Sequence, residues 1–175
     1  MNKVRIAASV FLLLSATFAL FLALSTSSLP PTVATHFNGH GRPDAWMRSS
    51  SYVAFFTAFG IGLPVFIVAV FYMVRWLPAG LVNIPRRDFW LAPGRASETH
   101  RYLLAQGLWL ACMVLLFMLA VHFAVVRANQ LATPRLAPQS ILVPMGIFIT
   151  ALVVWIATFL RRFTCTQLKA NGAGG

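Results

Sequence analysis

The residues best suited to chemistry are concentrated in one short stretch, "THFNGHGRPDAW" at residues 35–46. This stretch contains His36, His40 and Asp44, separated by glycines and a proline. A further histidine, His122, lies inside a long apolar segment, where an ionisable group is a functional-site candidate. Imidazole and carboxylate groups can bind a metal ion, transfer protons or respond to pH. Which of these chemistries is available depends on the elements that position these four side chains.

The composition indicates that lipid is the solvent for most of the chain. Of its 175 residues, 59% are hydrophobic and 10% are charged, whereas a soluble domain carries about 25% charged residues. The formal net charge is +11. The basic residues flank long apolar runs instead of forming a patch interleaved with aromatics, so membrane orientation explains them and a nucleic-acid partner is not expected.

Four apolar runs are long enough to cross a bilayer as helices. We predict an all-α integral membrane bundle of four helices in a single domain at 1–168, with an ordered outer loop between helices 1 and 2 and a disordered cytoplasmic tail at 169–175. The first run also resembles a signal peptide, but its apolar part is longer than the roughly 7 to 15 residues of such a sequence, which favours an uncleaved helix. The predicted spans are about 4–25, 52–76, 102–126 and 141–160.

The distribution of lysine and arginine predicts the orientation. Ten of these residues lie at the N terminus, between spans two and three, or after span four, and the other two loops carry four. The side richer in basic residues is normally cytoplasmic. Both termini are therefore expected in the cytoplasm, and the stretch at 35–46 is expected outside.

Several local features predict how the helices begin and pack. The serines at 49–51 and Ser97 are expected to cap the second and third spans. Pro64 and Pro144 lie inside spans, where each tends to kink a helix. Small residues let neighbouring helices approach closely, and the candidates are Gly60, Gly62, Gly107 and Gly146.

The first interpretation of the stretch at 35–46 is structural. Gly39, Gly41 and Pro43 would form a tight turn in which Asn38 bonds its own backbone. Asp44 would cap a short helix that carries Trp46 into the membrane interface. His36 would pair with Asp44 or tuck against the helices.

Two other interpretations assign the stretch a ligand. His122 lies four residues before Val126 and so roughly 6 Å below the outer end of its helix. It is expected on the side of His36 and Asp44, which are its expected partners. In one interpretation, His36, His122 and either His40 or Asp44 bind Zn²⁺ or a similar ion; otherwise no cofactor is expected. In the other, the outer loop recognises a peptide, lipid or toxin, with the histidines adding pH sensitivity.

The long connection at 77–100 forms a second informative segment. Its three prolines forbid one continuous helix. Aromatic residues beside arginines are typical of the inner lipid interface. The cytoplasmic interface residues are expected to be Arg86, Arg87, Asp88 and Trp90.

Catalytic signatures are missing from the sequence. The chain has three acidic residues, and none lies within a predicted span. It lacks the nucleotide-binding, serine-hydrolase and zinc-protease motifs, and its two cysteines have no metal-binding spacing. These observations favour a protein that is not an enzyme.

The stretch "LPPTVATHFNGHGRPDAW" resembles the hallmark of a bacterial membrane domain of unknown function (DUF1648-type). That domain also forms the N-terminal part of SdpI-type immunity proteins, which protect cells against a secreted peptide toxin. The pattern is matched by Pro31, His36, Phe37, Asn38, Gly41, Pro43 and Asp44. "NIPRRDFWLAPGRASET" and the pairing of His122 with Asn129 are similar as well.

This resemblance implies a non-catalytic protein of the bacterial cytoplasmic membrane, with immunity to, or sensing of, a peptide or lipid ligand through its outer loop. Its partners would be the bilayer and a peptide toxin or another membrane protein. Two alternatives remain open from the residues: a metal-binding enzyme or metal-handling protein that uses His36, His122 and Asp44, and a structural subunit of a membrane complex.

Overall fold

The computed structural model describes residues 2–164, and the predicted tail at 169–175 lies outside this range. Four helical segments are long and apolar enough to cross a membrane. They comprise α1 (Asn2–Thr26), a second segment at Ser49–Trp76, α5 (Ala96–Asn129) and α6 (Gln139–Thr164). The predicted all-α membrane bundle is therefore confirmed, and each helical segment extends past at least one of the boundaries expected from its apolar run.

The second membrane segment is not a uniform α-helix. It consists of α2 (Ser49–Thr57), a π-helical turn at Ala58–Gly62, α3 (Leu63–Met73) and a 3₁₀ turn at Val74–Trp76. Pro64 lies in the first turn of α3, directly after the π-helical turn. Because proline has no N–H to donate to the preceding turn, the wider turn absorbs the interruption that the sequence predicted here. Pro144, by contrast, lies inside a continuous α6.

The segment between the first two spans forms a β-hairpin, and the short helix expected after Asp44 is wrong. Strand β1 (Thr32–Phe37) pairs antiparallel with β2 (Pro43–Arg48). The backbone after Asp44 is extended rather than helical, because the Asn38 turn brings residues 38 and 42 into a hydrogen-bonded pair. The ladder then continues back along both strands, with irregular register near His36.

Two further expectations about helix ends are wrong. Arg48 precedes α2 and Arg95 precedes α5, and neither helix has a side-chain cap. Ser49 instead donates its backbone N–H to the Pro31 carbonyl at 2.9 Å, which joins the start of α2 to the hairpin. The strand thus runs directly into the helix, and no serine side chain is needed at the junction.

The core lies where α1, the second segment and α5 meet. Two of the four candidate glycines make this contact possible. A Cβ on Gly60 would lie 2.2 Å from the ring of Phe18, and one on Gly107 would lie 2.5 Å from the side chain of Phe71. Gly62 and Gly146 have no such close neighbour, so the packing role predicted for them is wrong.

The connection at 77–100 folds into short helices at the end of the bundle opposite the hairpin. One of them is α4 (Arg87–Trp90), after a 3₁₀ turn at Ala79–Leu81. Arg86, Arg87 and Asp88 are exposed, as expected for an interface. Trp90 is instead half-buried, with its ring 5.5 Å from that of Phe163.

Candidate functional site

A buried hydrogen-bond network at the hairpin end of the bundle is centred on His122. This histidine is fully buried on α5. Its Nε2 lies 2.8 Å from the Ser25 hydroxyl at the end of α1, and its Nδ1 lies 2.7 Å from the Tyr52 hydroxyl at the start of α2. One imidazole therefore connects three helices.

The hydrogen-bond partners determine which nitrogen of His122 carries the hydrogen. The Ser25 hydroxyl donates to the Leu22 carbonyl at 3.1 Å, so its oxygen accepts from His122 Nε2–H. His122 Nδ1 then accepts from the Tyr52 hydroxyl. With this tautomer every polar hydrogen in the chain from Tyr52 to Leu22 has an acceptor, whereas the other tautomer leaves one without.

Aromatic rings enclose the same imidazole. Their centroids lie between 4.9 and 6.2 Å from that of His122, and they belong to Phe18, Phe21, Tyr52 and Phe56. These rings exclude water from both hydrogen bonds. His122 therefore organises the structure and has no free nitrogen for a ligand.

The expected contact between His122 and the outer loop does not form. His36 and Asp44 pair with each other through Nδ1 and Oδ1 on the outer surface of the hairpin, where their side chains are 72% and 45% exposed. The sequence placed these residues at the correct end of the bundle. It missed that the antiparallel ladder turns them away from α5, and that Ser25 and Tyr52 reach His122 instead.

The three side chains of the metal interpretation are consequently not brought together. Within residues 2–164, no group of three or more His, Cys, Asp or Glu side chains is close enough to hold a metal ion. His36 and Asp44 are engaged with each other, and both His122 nitrogens are bound to hydroxyl groups. The geometry thus does not supply the set of His36, His122 and Asp44.

Asn129 attaches the hairpin to the end of α5. Its Oδ1 accepts from the Ala34 N–H at 2.8 Å, and its Nδ2 donates to the Ala34 carbonyl at 2.9 Å and to the Val125 carbonyl at 2.9 Å. The side-chain amide therefore pairs with β1 as a neighbouring strand would. Both Asn129 and Ala34 are buried.

The turn of the hairpin forms a second attachment. The Asn38 side chain accepts from the backbone N–H groups of His40 and Arg42, which confirms that it bonds its own turn. Gly41 has φ +73°, and a Cβ there would lie 2.0 Å from the Leu136 carbonyl oxygen. The Leu136 N–H donates to the Gly41 carbonyl at 3.0 Å. Glycine is thus required both by the backbone angle and by contact with the loop between α5 and α6.

Among the residues that the structure describes, 2–164, one edge of the hairpin has no bonding partner. The Ser49–Pro31 bond and the register make residues 33 and 47 a hydrogen-bonded pair, so the backbone groups of residues 32, 34, 46 and 48 point away from the ladder. On β1 the groups of Ala34 are taken by Asn129. On β2 the N–H and C=O of Trp46 and the N–H of Arg48 face outward, beside side chains that are both exposed, whereas the Arg48 C=O accepts the first hydrogen bond of α2.

Residues 12–68 match the family model described as Domain of unknown function (DUF1648). No curated protein and no solved structure matches the chain. The matched region covers most of α1, the whole hairpin and most of the second membrane segment, whereas His122 and Asn129 lie outside it. The chain is thus a multi-pass membrane protein whose residues 12–68 are similar to the domain of unknown function DUF1648, as its motifs indicated.

Proposed function

We propose that this protein is a non-catalytic receptor of the bacterial cytoplasmic membrane that binds an extended peptide along the free edge of β2, outside the cell. The observation that carries the proposal is the contrast between the two hairpin edges. The β1 edge is bound by Asn129, and the β2 edge offers the outward N–H and C=O of Trp46 and the outward N–H of Arg48.

An unpaired strand edge is a ready template for a further strand. Backbone hydrogen bonds would supply affinity, and the neighbouring side chains would supply specificity. Trp46 is 53% exposed and offers a large apolar contact next to that edge.

Charge also favours a peptide with acidic groups. Arg42 and Arg48 are exposed on the hairpin, and the single acid of this region, Asp44, is already paired with His36. The resemblance to SdpI-type immunity proteins supports a secreted peptide as the ligand. Burial of His122 with both nitrogens engaged supports binding rather than catalysis.

The outer location rests on the basic-residue bias. The hairpin end carries four arginines, at positions 42, 48, 127 and 135, and the remaining ten basic residues belong to the opposite end or to the terminal segments beyond it. This asymmetry favours the cytoplasm for the opposite end.

The test uses p-benzoylphenylalanine in place of Trp46 in living cells, with mass spectrometry of the adducts. Two variants separate the backbone from the side chain. Arg48 has φ −61°, which proline can adopt, so Arg48→Pro removes the outward N–H together with the charge, whereas Arg48→Ala removes the charge alone. We expect a peptide adduct that Arg48→Pro weakens well beyond the effect of Arg48→Ala.

Equal adduct yields in the two variants would exclude edge pairing. Adducts that consist of lipid alone would exclude a peptide ligand. Thermal unfolding in detergent checks that both variants fold, and a second probe at the exposed Leu81, at the opposite end of the bundle, reports adducts that do not depend on the hairpin.

A further inference from the structure

A long groove lies between α5 and α6, separate from the hairpin edge. At the hairpin end it has a volume of about 610 Å³, and its lining includes Phe123, Arg127 and Arg135. Deeper in the bundle a second cavity of about 280 Å³ is lined by Met113, Phe117 and Phe148, among others. Ala120 and Pro144 line both cavities, so the two form one continuous groove.

The length of the apolar part matches one leaflet of a bilayer. Met113 and Phe123 are ten residues apart on α5, which corresponds to roughly 15 Å at 1.5 Å per residue. Half of a hydrocarbon core about 30 Å thick is the same length. The groove wall therefore runs from near the middle of the bilayer to the interface.

The end of the groove at the interface is positively charged. Arg127 is one turn beyond Phe123 on α5, and Arg135 lies in the loop before α6. All three acids of the chain are already paired, Asp44 with His36, Asp88 with Arg87 and Glu98 with Arg162. Within residues 2–164, neither Arg127 nor Arg135 forms an ion pair.

We infer that this groove binds one anionic phospholipid. Its phosphate would interact with Arg127 and Arg135, and an acyl chain would lie along Ala120, Phe123 and Phe148. Two guanidinium groups at the interface end complement a phosphodiester, since arginine binds phosphate oxygens in pairs. An acidic peptide would leave the apolar leaflet-length wall uncovered, so lipid is the occupant that matches both parts of the groove.

The test uses phosphatidylglycerol with a diazirine in its acyl chain, added to the full-length protein in nanodiscs. We expect labelling within residues 113–151. The double variant Arg127→Gln/Arg135→Gln should reduce that labelling roughly 30-fold. This factor follows because each basic residue near an anionic lipid surface usually contributes a similar free energy of binding, and the variant removes two of them. The matched control Lys3→Gln/Arg101→Gln removes two basic residues from a different groove and should leave it unchanged.

A second variant tests the apolar wall. Ala120→Phe places a ring at the point that both cavities share, and it should reduce labelling while both arginines remain. Leu12→Phe, at an exposed position on α1, controls for added apolar bulk.

Equal labelling of the wild type and the arginine variant, equal labelling by the phosphatidylcholine analogue, or unchanged labelling of Ala120→Phe would overturn the inference. Loss of labelling upon addition of inorganic phosphate, but not of chloride at the same ionic strength, would show that the arginines prefer the free anion and would overturn the assignment to lipid.

Discussion

Replacement of Asn129 by alanine should release the hairpin from the bundle without unfolding the helices. The Asn129 side chain makes three hydrogen bonds, two to Ala34 and one to Val125. The Val125 carbonyl also accepts a backbone hydrogen bond within α5, so loss of the bond from Asn129 leaves it with a partner. Ala34 is different, because its N–H and C=O are both buried and both point away from β2.

The expected magnitude follows from these two groups. A buried backbone group without a partner costs about 1–3 kcal/mol. Two such groups would cost roughly 2–6 kcal/mol if the hairpin stayed in place. Because the hairpin can instead move and let water reach Ala34, the lower end of this range is expected, and the effect should be local.

Hydrogen exchange measured by mass spectrometry checks this prediction. A local destabilisation of about 2 kcal/mol corresponds to roughly 30-fold faster exchange. We expect this increase in a peptide that covers residues 32–37, with little change in α1 or α6. The control is Gln130→Ala, which removes an exposed amide from the adjacent residue. If residues 32–37 exchange equally slowly in both variants, Asn129 does not hold the hairpin.

Four other predictions concern single contacts and the orientation of the chain. Tyr52→Phe removes the donor to His122 and should lower the free energy of unfolding by about 1–3 kcal/mol. Tyr102→Phe is the control and should have little effect, because the Tyr102 hydroxyl bonds no described residue. Equal melting temperatures of the two variants would contradict the network. Gly41→Ala should destabilise the protein by at least about 1–2 kcal/mol, the usual cost of left-handed backbone in a residue with a Cβ. The control Gly39→Ala should be neutral, because a Cβ there meets nothing within 4 Å. A neutral Gly41→Ala would refute the contact with Leu136. Gly60→Ala should lower the free energy of unfolding by about 1–3 kcal/mol, because the added methyl group overpacks against Phe18. Gly146→Ala is the control, since a Cβ at Gly146 meets nothing within 4 Å. Similar denaturation curves for the two variants would count against close packing at Gly60. A reporter fused after Ser28 should be accessible from outside the cell and one fused after Asn83 from inside; the reverse pattern would invert the orientation on which the proposed receptor depends.

The membrane bundle was predictable from the sequence because its signal is long and redundant. Each span contains about twenty apolar residues, and no local preference competes with burial of the backbone in lipid. The end of the bundle that carries His122 followed from the same count. The hydrogen-bond partners of His122 did not follow from that count. Ser25 and Tyr52 nevertheless lie within one or two turns of helix ends at the same end of the bundle, and they are the polar residues to consider as partners.

The hairpin was harder to predict because its signals are local and ambiguous. Asn38, Gly39 and Gly41 correctly indicated a tight turn. Asp44 before Trp46 suggested a helix cap, and nothing in six residues contradicts that reading. The strand is selected by tertiary contacts, since Asn129, 95 residues away from Ala34, completes the backbone bonding of β1. Such a partner becomes visible only when α5 is in place.

The positions of His122 and Asn129 on α5 explain how the hairpin is joined to the membrane helices. The two residues are seven apart, two turns of helix, and therefore lie on nearly the same face about 10 Å apart. His122 connects that face to α1 and α2, and Asn129 connects it to β1. Ser49 and Gly41 attach the other parts of the hairpin to α2 and to the loop before α6. A displacement of β2 must therefore strain bonds to at least two membrane segments, whereas a flexible loop would absorb it. If the proposed peptide binds the outer edge of β2, the resulting strain would therefore reach α2 and α5 at this end of the bundle.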